Sequence, residues 1–469
     1  MSIHFGTGGW RAVIGDEFTR ENVQKLAFAL ARKMEAEGCA QQGFIIGYDR
    51  RFLSREAAEW TAETMAAAGV PCSIIDRESP TPLVMFTVKE TGCPYGMAVT
   101  ASHNPAVYNG VKVFTAGGRD ADEAATQDIE HWLAQGGTVP QMPLAEALAQ
   151  GLVQRIDPMN RYIDSILAAV DTEAIRRRAL RVALDPMYGV SKTALQTILM
   201  TTRCEVNVIH ERHDTLFGGR LPAPNRKTLA GLMNYVEENG CDIGIATDGD
   251  ADRLGVVDDR AEFLHPNKIL VLLYYYLIRY KGWHGAAVRN IATTHLLDAI
   301  AESFGERCYE VPVGFKYVSG KMAATGAIIG GESSGGLTVR GHIQGKDGIY
   351  AAALLIEMIA VTGRSLSQLW GEIEARYGRY EMCERDYHFS EEKKCAVEQT
   401  LMVEKLLPAF PAEIAQVSYM DGCKVWFRDG GWIIARFSGT EPLLRIFCER
   451  DTMAKAEQTA DLLQNFLQL

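Results

Sequence analysis

Short apolar runs alternate with longer amphipathic stretches through about the first 375 residues of this 469-residue chain. Residues 44–49 form an apolar run that predicts a buried strand, and residues 55–68 have the spacing of an amphipathic helix. Residues 72–76 predict the next strand. The same order of strand and helix returns at residues 180–185 and 191–200, and again at 286–288 and 295–304. This alternation predicts α/β units with parallel strands.

The last part of the chain has a different order of elements. A helix is predicted over residues 391–406, four strands follow, and a helix over 454–467 completes an α+β pattern. Looser polar stretches interrupt the chain near residues 150, 260 and 375, and a chain of this length exceeds one ordinary core. We therefore predict four domains, over residues 1–150, 151–259, 260–375 and 376–469.

Composition narrows the class of protein. Apolar residues make up 47% of the chain and charged residues 23%, which is typical of a soluble globular protein. The net charge of −11 argues against nucleic acid as a partner, so an anionic ligand must be attracted by cations focused in a cleft. The ten cysteines have no zinc-binding or C-x-x-C spacing, and neither a signal peptide nor a bilayer-length apolar run is evident. We expect a cytoplasmic protein with reduced thiols and no membrane partner.

The segment Thr-Ala-Ser-His-Asn-Pro at residues 100–105 carries the first candidate chemistry. It follows the apolar run 95–99, and the proline excludes helix at the residue before it, so Ser102 is predicted on a loop at the carboxyl end of a strand. Ligands of open α/β sheets bind at this edge. A serine hydroxyl there can carry a phosphoryl group if nearby charges neutralise the phosphate. His103 is a base, a phosphate donor or a solvated loop residue.

Asp248, Asp250 and Asp252 alternate along the chain. In an extended loop, residues two apart project to the same side, so the three carboxylates can converge. Three uncompensated anions repel one another, and a hard divalent cation is their natural ligand. Mg²⁺ prefers mixed ligation, which leaves room for a phosphate oxygen on Ser102, and Arg253 can pair with the same phosphate.

A calcium EF-hand is the structural rival, because its loop begins Asp-x-Asp-x-Asp-Gly. Here the sixth position is Arg253 and the twelfth is Asp259, and neither fits the EF-hand pattern. The flanking residues 242–246 and 254–257 predict strands, whereas an EF-hand has flanking helices. The pattern therefore favours a magnesium loop between two strands.

Two further motifs contain residue types that bind sugars and phosphates. Residues 330–336 read Gly-Gly-Glu-Ser-Ser-Gly-Gly, which by itself predicts a flexible turn. Residues 436–442 read Arg-Phe-Ser-Gly-Thr-Glu-Pro and lie between two predicted strands. Arginine and hydroxyl side chains beside a glycine can form a phosphate cradle, with a polar hairpin as the alternative.

These four motifs, in this order, resemble the serine, metal, sugar and phosphate loops of the α-D-phosphohexomutase superfamily. The resemblance extends from Phe5 to Arg445. It implies three α/β domains with mixed sheets and a smaller C-terminal α+β domain around a central cleft. It also implies that Ser102 is phosphorylated in the resting enzyme, and that one Mg²⁺ per chain is held by Ser102 and the three aspartates.

The resemblance implies roles for single residues as well. Arg11 approaches the transferred phosphate, Lys112 lies beside the serine, and Glu332 and Ser334 contact adjacent ring hydroxyls. The implied substrate-binding residues are Gly314, Lys316, Glu332, Ser334, Arg253, Arg436, Ser438, Gly439, Thr440 and Arg445.

The sugar loop also departs from the family pattern. Gly336 stands where many bacterial members have a histidine, so that histidine's role has no counterpart here. His342 and Lys346 resemble the glucose-specific branch more closely, and either can assist proton transfer. Glucose phosphate is therefore the expected substrate, with a mannose or dual-specificity enzyme as the alternative and pentose or glucosamine phosphates behind them.

The implied reaction moves a phosphate between O1 and O6 of a hexose through phosphoserine, with glucose 1,6-bisphosphate as intermediate and activator. A phosphatase needs only the reactive site and a positioned water, and a sugar-phosphate sensor can lose Ser102 or the aspartates. Because both a reactive site and a distal phosphate motif are present, we rank a mutase above both. The expected partner is a small sugar phosphate, and the oligomeric state is left open.

Overall fold

The computed structural model describes residues 3–6, 9–437 and 443–469, which form four sheets. The first is a mixed sheet of seven strands in the order β1-β5-β4-β2-β3-β7, with β6 paired to β5. Its strands are β1 (Trp10–Val13), β2 (Phe44–Tyr48), β3 (Cys72–Ile75), β4 (Tyr95–Val99), β5 (Tyr108–Thr115), β6 (Arg119–Asp120) and β7 (Val153–Ile156). Its helices are α1 (Arg20–Ala36), α2 (Ser54–Ala67), α3 (Thr81–Thr91), α4 (Glu123–Ala134) and α5 (Leu144–Ala149).

The second sheet has the order β12-β11-β10-β8-β9, with β8, β9 and β10 parallel and β11 and β12 antiparallel. Its strands are β8 (Arg181–Asp185), β9 (Glu205–Val208), β10 (Ile243–Thr247), β11 (Leu254–Val257) and β12 (Phe263–Leu264). The helices of this region are α6 (Met159–Ala169), α7 (Thr172–Arg178), α8 (Lys192–Thr201) and α9 (Ala230–Asn239).

The third sheet has the order β14-β13-β15-β16, again with an antiparallel edge strand. Its strands are β13 (Ala287–Asn290), β14 (Cys308–Val311), β15 (Ile329–Gly331) and β16 (Leu337–Val339). The helices are α10 (Pro266–Arg279), α11 (Leu296–Ser303), α12 (Phe315–Thr325), α13 (Gly348–Thr362) and α14 (Leu366–Tyr377).

The fourth sheet is fully antiparallel, in the order β17-β21-β20-β19-β18. Its elements are β17 (Glu381–His388), α15 (Glu391–Glu398), β18 (Ile414–Ser418), β19 (Cys423–Phe427), β20 (Trp432–Phe437), β21 (Leu443–Arg450) and α16 (Met453–Leu467). The predicted helix over 391–406 is shorter here, because a π-helical turn follows it at Gln399–Val403. The mixed α/β architecture with a C-terminal α+β unit confirms the predicted fold class.

One hydrophobic core joins the first three units. Helix α13 is apolar on nearly every face, as expected of a helix that is buried all round, and it packs against α7, α8 and β11 of the second unit. Strand β7 pairs with β3 in the first sheet, a few residues past the boundary predicted near 150. The predicted domain boundaries themselves stay predictions.

Among the described residues, no single helix is long and apolar enough to cross a membrane. Helices α13 and α14 reach that length and hydropathy only together, across a bend of 79°. All ten cysteines lie within the described residues, and all are free thiols.

Candidate active site

Ser102 lies directly after β4, at the carboxyl edge of the first sheet, where the sequence pattern predicted it. Its side chain is buried, and its Oγ donates a hydrogen bond to Asp248 Oδ2 at 2.7 Å. The Nδ1 atom of His103 lies 3.4 Å from the same Oγ. Ser102 has a φ of +53°, a left-handed conformation that costs a non-glycine residue roughly 1–3 kcal/mol. Surrounding contacts must therefore hold this loop in place.

Arg51 supplies those contacts, and sequence reasoning missed it. Its buried guanidinium follows β2 and donates hydrogen bonds to backbone carbonyl oxygens of the serine loop. The signal was present, because the residue lies just past the carboxyl end of a predicted strand, where ligand-binding loops gather. The four acceptors are the carbonyl oxygens of Ser102 (2.6 Å), Asn104 (2.7 Å), Pro105 (2.9 Å) and Tyr108 (3.1 Å).

Asp248, Asp250 and Asp252 follow β10 and form a buried cluster, with one carboxylate oxygen of each lying within 4.8 Å of the other two. Burial, reinforced by repulsion from the other two aspartates, raises the pKa of Asp248 to about 8. Oδ1 of Asp250 and Oδ1 of Asp252 are buried without a hydrogen-bond partner among the described residues. Orphaned carboxylate oxygens beside a serine hydroxyl are the donor set that Mg²⁺ takes in proteins, so these residues fit the metal.

Two lysines neutralise part of this negative charge. Lys112 Nζ donates to Asp250 Oδ2 at 2.6 Å and to Asp252 Oδ2 at 2.5 Å, while Lys346 Nζ lies 2.8 Å from Asp252 Oδ2. Burial opposes the charge on Lys112, yet attraction from the three aspartates raises its pKa above the ordinary value. Two of the three lysines that the sequence singled out therefore lie at the metal loop, and the third, Lys316, lines the neighbouring pocket.

Main-chain hydrogen bonds join the loops of three sheets. The Thr81 N–H donates to the carbonyl oxygen of Asp250 at 2.9 Å, which ties α3 to the metal loop. The Leu254 N–H donates to Gly335 at 3.2 Å, and the Gly348 N–H donates to Ala251 at 3.2 Å. The metal loop is thus held by backbone contacts to the start of α3 on one side and to the sugar loop and the start of α13 on the other.

A small pocket opens beside these loops, with a volume of about 70 Å³. Ligand pockets usually measure about 300–1,000 Å³, so the described residues enclose only part of the space that a sugar phosphate needs. Lys316, which lines the pocket, donates through its Nζ to Glu123 Oε2 on α4 at 3.3 Å, and the neighbouring Tyr317 hydroxyl donates to the same oxygen at 3.2 Å. The lining residues are Arg11, Lys112, Asp120, Ala121, Arg253, Phe315, Lys316, Glu332 and Lys346.

Glu332 is oriented at the edge of this pocket. Its Oε1 accepts hydrogen bonds from the Gly314 N–H at 3.0 Å and from Asn290 Nδ2 at 3.3 Å. Ser334 lies in the same loop and is exposed. A Cβ added at Gly336 would approach Lys346 Cδ at 2.3 Å. The lysine stem therefore occupies the space that a side chain at position 336 would need, which links the missing histidine to the presence of Lys346.

The structure does not bring His342 to the pocket. Its Nε2 lies 2.8 Å from Asp347 Oδ2, and its ring packs among Phe86, Tyr162 and Tyr350. The Tyr162 hydroxyl donates to the same carboxylate oxygen at 2.7 Å. This buried network connects α3, α6 and the start of α13, which is a packing role between units.

Arg436 on β20 lies directly opposite Arg445 on the neighbouring antiparallel strand β21. Two opposed guanidinium groups on neighbouring strands repel unless an anion lies between them. The Asp421 carboxylate lies 2.9 Å from Arg436 Nε and also accepts the Val313 N–H at 2.7 Å, which connects this pair to the loop before Gly314. Ser438, Gly439 and Thr440 lie outside the described residues.

Comparison with known proteins assigns the family. Profiles for the α/β/α domains I, II and III of phosphoglucomutase/phosphomannomutase match residues 2–138, 160–261 and 265–377, and the C-terminal domain profile matches 392–465. The chain belongs to the phosphoglucomutase/phosphomannomutase family. This confirms the predicted α-D-phosphohexomutase superfamily and makes the protein an isomerase that transfers phosphate within its substrate. Members of this superfamily depend on a metal ion.

Similar proteins cover the chain end to end. A phosphoglucomutase/phosphomannomutase of Thermococcus kodakarensis is 29% identical over 98% of both chains. A probable phosphoglucosamine mutase of Pyrococcus furiosus is 32% identical over 98% of this chain and 96% of its own length. The crystal structure of a putative phosphomannomutase from Thermus thermophilus superimposes with a TM-score of 0.87, at 28% identity over the whole of both chains.

The serine loop's dependence on Arg51 can be tested with Arg51→Lys. The lysine keeps the charge, but a single ammonium group cannot donate hydrogen bonds to all four carbonyl oxygens. We expect phosphohexomutase kcat to fall by about 100-fold, since displacing a reacting group by about 1 Å costs about that much. Arg50→Lys is the matched control, because Arg50 donates to carbonyl oxygens of Tyr188 and Glu211 and not to the serine loop. Equal kcat in the two folded variants would contradict the assignment.

Proposed function

We propose that this phosphohexomutase interconverts a hexose 1-phosphate and a hexose 6-phosphate with Ser102 as its phosphoryl carrier. The observation that carries the proposal is the 2.7 Å hydrogen bond between Ser102 Oγ and Asp248. It lies inside a buried acidic cluster in which two carboxylate oxygens have no hydrogen-bond partner in the part of the chain that the structure describes. A metal ion held by Asp248, Asp250 and Asp252 would supply charge neutralisation at the transferred phosphate.

The protein's own residues provide the remaining functions of the reacting phosphate site. Arg11 and Arg253 line the pocket as permanent cations and bind equatorial phosphate oxygens. When the phosphate is bound, Lys112 and Lys346 exchange part of their ion pairing with the aspartates for contacts with the phosphate. Arg51 holds the loop so that Ser102 Oγ stays in position for transfer in both directions.

A second phosphate must be held away from the reacting one. Arg436 and Arg445 form this distal cradle in the proposal, together with the residues of the phosphate loop. The sugar turns over between the two transfers, so each of its two phosphates occupies the cradle in turn. Glu332 then accepts hydrogen bonds from ring hydroxyls in both orientations. A phosphatase has no use for such a paired cation site, which favours the mutase.

Glucose phosphate is our first candidate substrate, because the pattern of His342 and Lys346 resembles the glucose-specific branch and Lys346 occupies the space beside Gly336. Glucosamine phosphate is the second candidate, since several relatives that match along their full length, including one at 32% identity, are named probable phosphoglucosamine mutases. Mannose phosphate remains an alternative because its O3 and O4 have the same orientation as those of glucose.

Ser102→Ala tests the carrier. We expect no covalent phosphate by intact mass spectrometry after incubation with glucose 1,6-bisphosphate, and a loss of turnover by several orders of magnitude, because the attacking oxygen is removed. Ser165→Ala on α6, outside the pocket, should keep both properties. Near-normal turnover of Ser102→Ala in the presence of bisphosphate would reject the mechanism.

The metal assignment predicts that a chelator abolishes activity and that added Mg²⁺ restores it. Asp250→Asn removes one anionic ligand, so Mg²⁺ affinity measured by calorimetry should fall by about 10- to 100-fold, as expected when a metal-site contact is lost. Asp164→Asn makes the same charge change at an exposed position on α6 and should bind Mg²⁺ normally. Full activity of the wild-type protein in excess chelator would refute the assignment.

Substrate preference is measured by initial rates with the 1-phosphates of glucose, glucosamine, mannose and ribose. We expect the highest kcat/KM with glucose 1-phosphate, because Lys346 occupies the position associated with that branch. A higher kcat/KM for glucosamine 1-phosphate would reverse the order of the two candidates while leaving the mutase proposal intact.

A further inference from the structure

Asp120 is a pocket residue to which neither the motifs nor the mechanism above gives a role. It lies on the two-residue strand β6, opposite Phe114 of β5, and the following Ala121 N–H donates to Val113. These backbone contacts fix its position at the edge of the first sheet. Its carboxylate lines the pocket together with Lys346 and Glu332.

The Asp120 carboxylate has an oxygen that lacks a hydrogen bond within the part of the chain that the structure describes. Its Oδ2 is buried and has no hydrogen-bond partner among the described residues. Burying an unpaired polar group costs about 1–3 kcal/mol, and more for a charged one. The pocket, as far as the structure describes it, therefore contains a buried hydrogen-bond acceptor without a donor. A hydroxyl group of a bound sugar can donate that hydrogen bond.

Few of the described pocket residues can take up a proton. The guanidinium groups of Arg11 and Arg253 offer only hydrogen-bond donors. Lys112 is paired with two aspartates, Lys346 with one of them, and Lys316 with Glu123. Of the two carboxylates, Glu332 already accepts two hydrogen bonds on Oε1, as a binding group does.

We propose that Asp120 is a catalytic residue that accepts the proton of the sugar hydroxyl as this hydroxyl attacks the phosphoserine. The proposal rests on the function proposed above and adds to it a proton acceptor for the sugar hydroxyl. His342, which the sequence singled out for proton transfer, lies outside the pocket and cannot serve there.

The proton and the electrons balance over the two transfers. In the first, the sugar oxygen bonds to phosphorus, its proton passes to Asp120 Oδ2, and Ser102 Oγ leaves with the bonding electron pair. In the second, Ser102 Oγ attacks the other phosphate, and the departing sugar oxygen takes the proton back from Asp120. No oxidant, reductant or further reagent is required.

The surrounding charges suit this role. Burial raises the pKa of Asp120 above its ordinary value; Lys346 and Lys112 act in the opposite direction, and Asp252 and Glu332 raise it further. A raised pKa brings the carboxylate closer to the operating pH, where a general base is most effective. The base must be ionised to act, so activity should fall as pH decreases through this pKa.

The test is Asp120→Asn, which keeps the size of the side chain and removes its basicity. Wild-type and variant protein are first incubated with glucose 1,6-bisphosphate until intact mass spectrometry shows complete phosphorylation, because loading itself uses the proton on Asp120 and is slow in the variant. Phosphate transfer to glucose 1-phosphate is then followed in single-turnover experiments. We expect the transfer rate to fall by about 10²–10⁴-fold with KM little changed, and the acid limb of the pH profile to disappear. Formate should restore part of the rate to Asp120→Ala, because it supplies a carboxylate to the emptied site.

Asp122→Asn is the matched control. Asp122 caps α4 by accepting the Ala125 N–H, asparagine caps equally well, and the charge change is the same two residues away. A wild-type protein that takes no phosphate onto Ser102 would reject the proposed function. A wild-type protein that transfers normally while Asp120→Asn keeps its rate, or changes only KM, would reject the role of Asp120 alone. If Asp120→Asn does not fold, rescue of Asp120→Ala by formate decides.

Discussion

Mutual repulsion among three buried carboxylates is the constraint around which the rest of the structure is arranged. Asp248, Asp250 and Asp252 lie within 4.8 Å of one another through their oxygens. At an effective dielectric constant of about 20, two like charges at this distance repel by about 3 kcal/mol. Lys112 and Lys346 neutralise part of this negative charge, and the Ser102 hydroxyl donates a hydrogen bond to the same cluster. The three aspartates fit a divalent cation, which would complete the compensation in the proposed mechanism.

The loops that meet at this cluster come from three separate sheets, yet backbone contacts hold them together. Hydrogen bonds from Thr81 to Asp250 and from Gly348 to Ala251 fasten the metal loop to its neighbours on both sides. Arg51 holds the serine loop in a left-handed conformation that would otherwise be unfavourable. The site is therefore preorganised, and binding energy from the substrate need not be spent on assembling it.

Sequence reasoning found the features that depend on local pattern. The alternation of apolar runs predicted the strands, and the position after β4 and β10 predicted Ser102 and the aspartates at the carboxyl edges of sheets. It missed what depends on three-dimensional neighbours. Arg51 and Asp120 belong to no motif; the contacts of Arg51 with the serine loop and the place of Asp120 in the pocket are visible only in three dimensions. The sequence suggested a role in proton transfer for His342, but its ring packs against aromatic side chains. These neighbours lie on helices that are distant in sequence, so the local pattern could not reveal them.

The fate of the phosphate on Ser102 tests the account most directly. Protein labelled with ³²P from glucose 1,6-bisphosphate is isolated, mixed with unlabelled glucose 1-phosphate and Mg²⁺, and the products are separated. The account predicts that the label appears first in hexose 1,6-bisphosphate and then in hexose monophosphate. Release of the label as inorganic phosphate alone, with none in a sugar phosphate, would contradict the account and identify a hydrolytic enzyme.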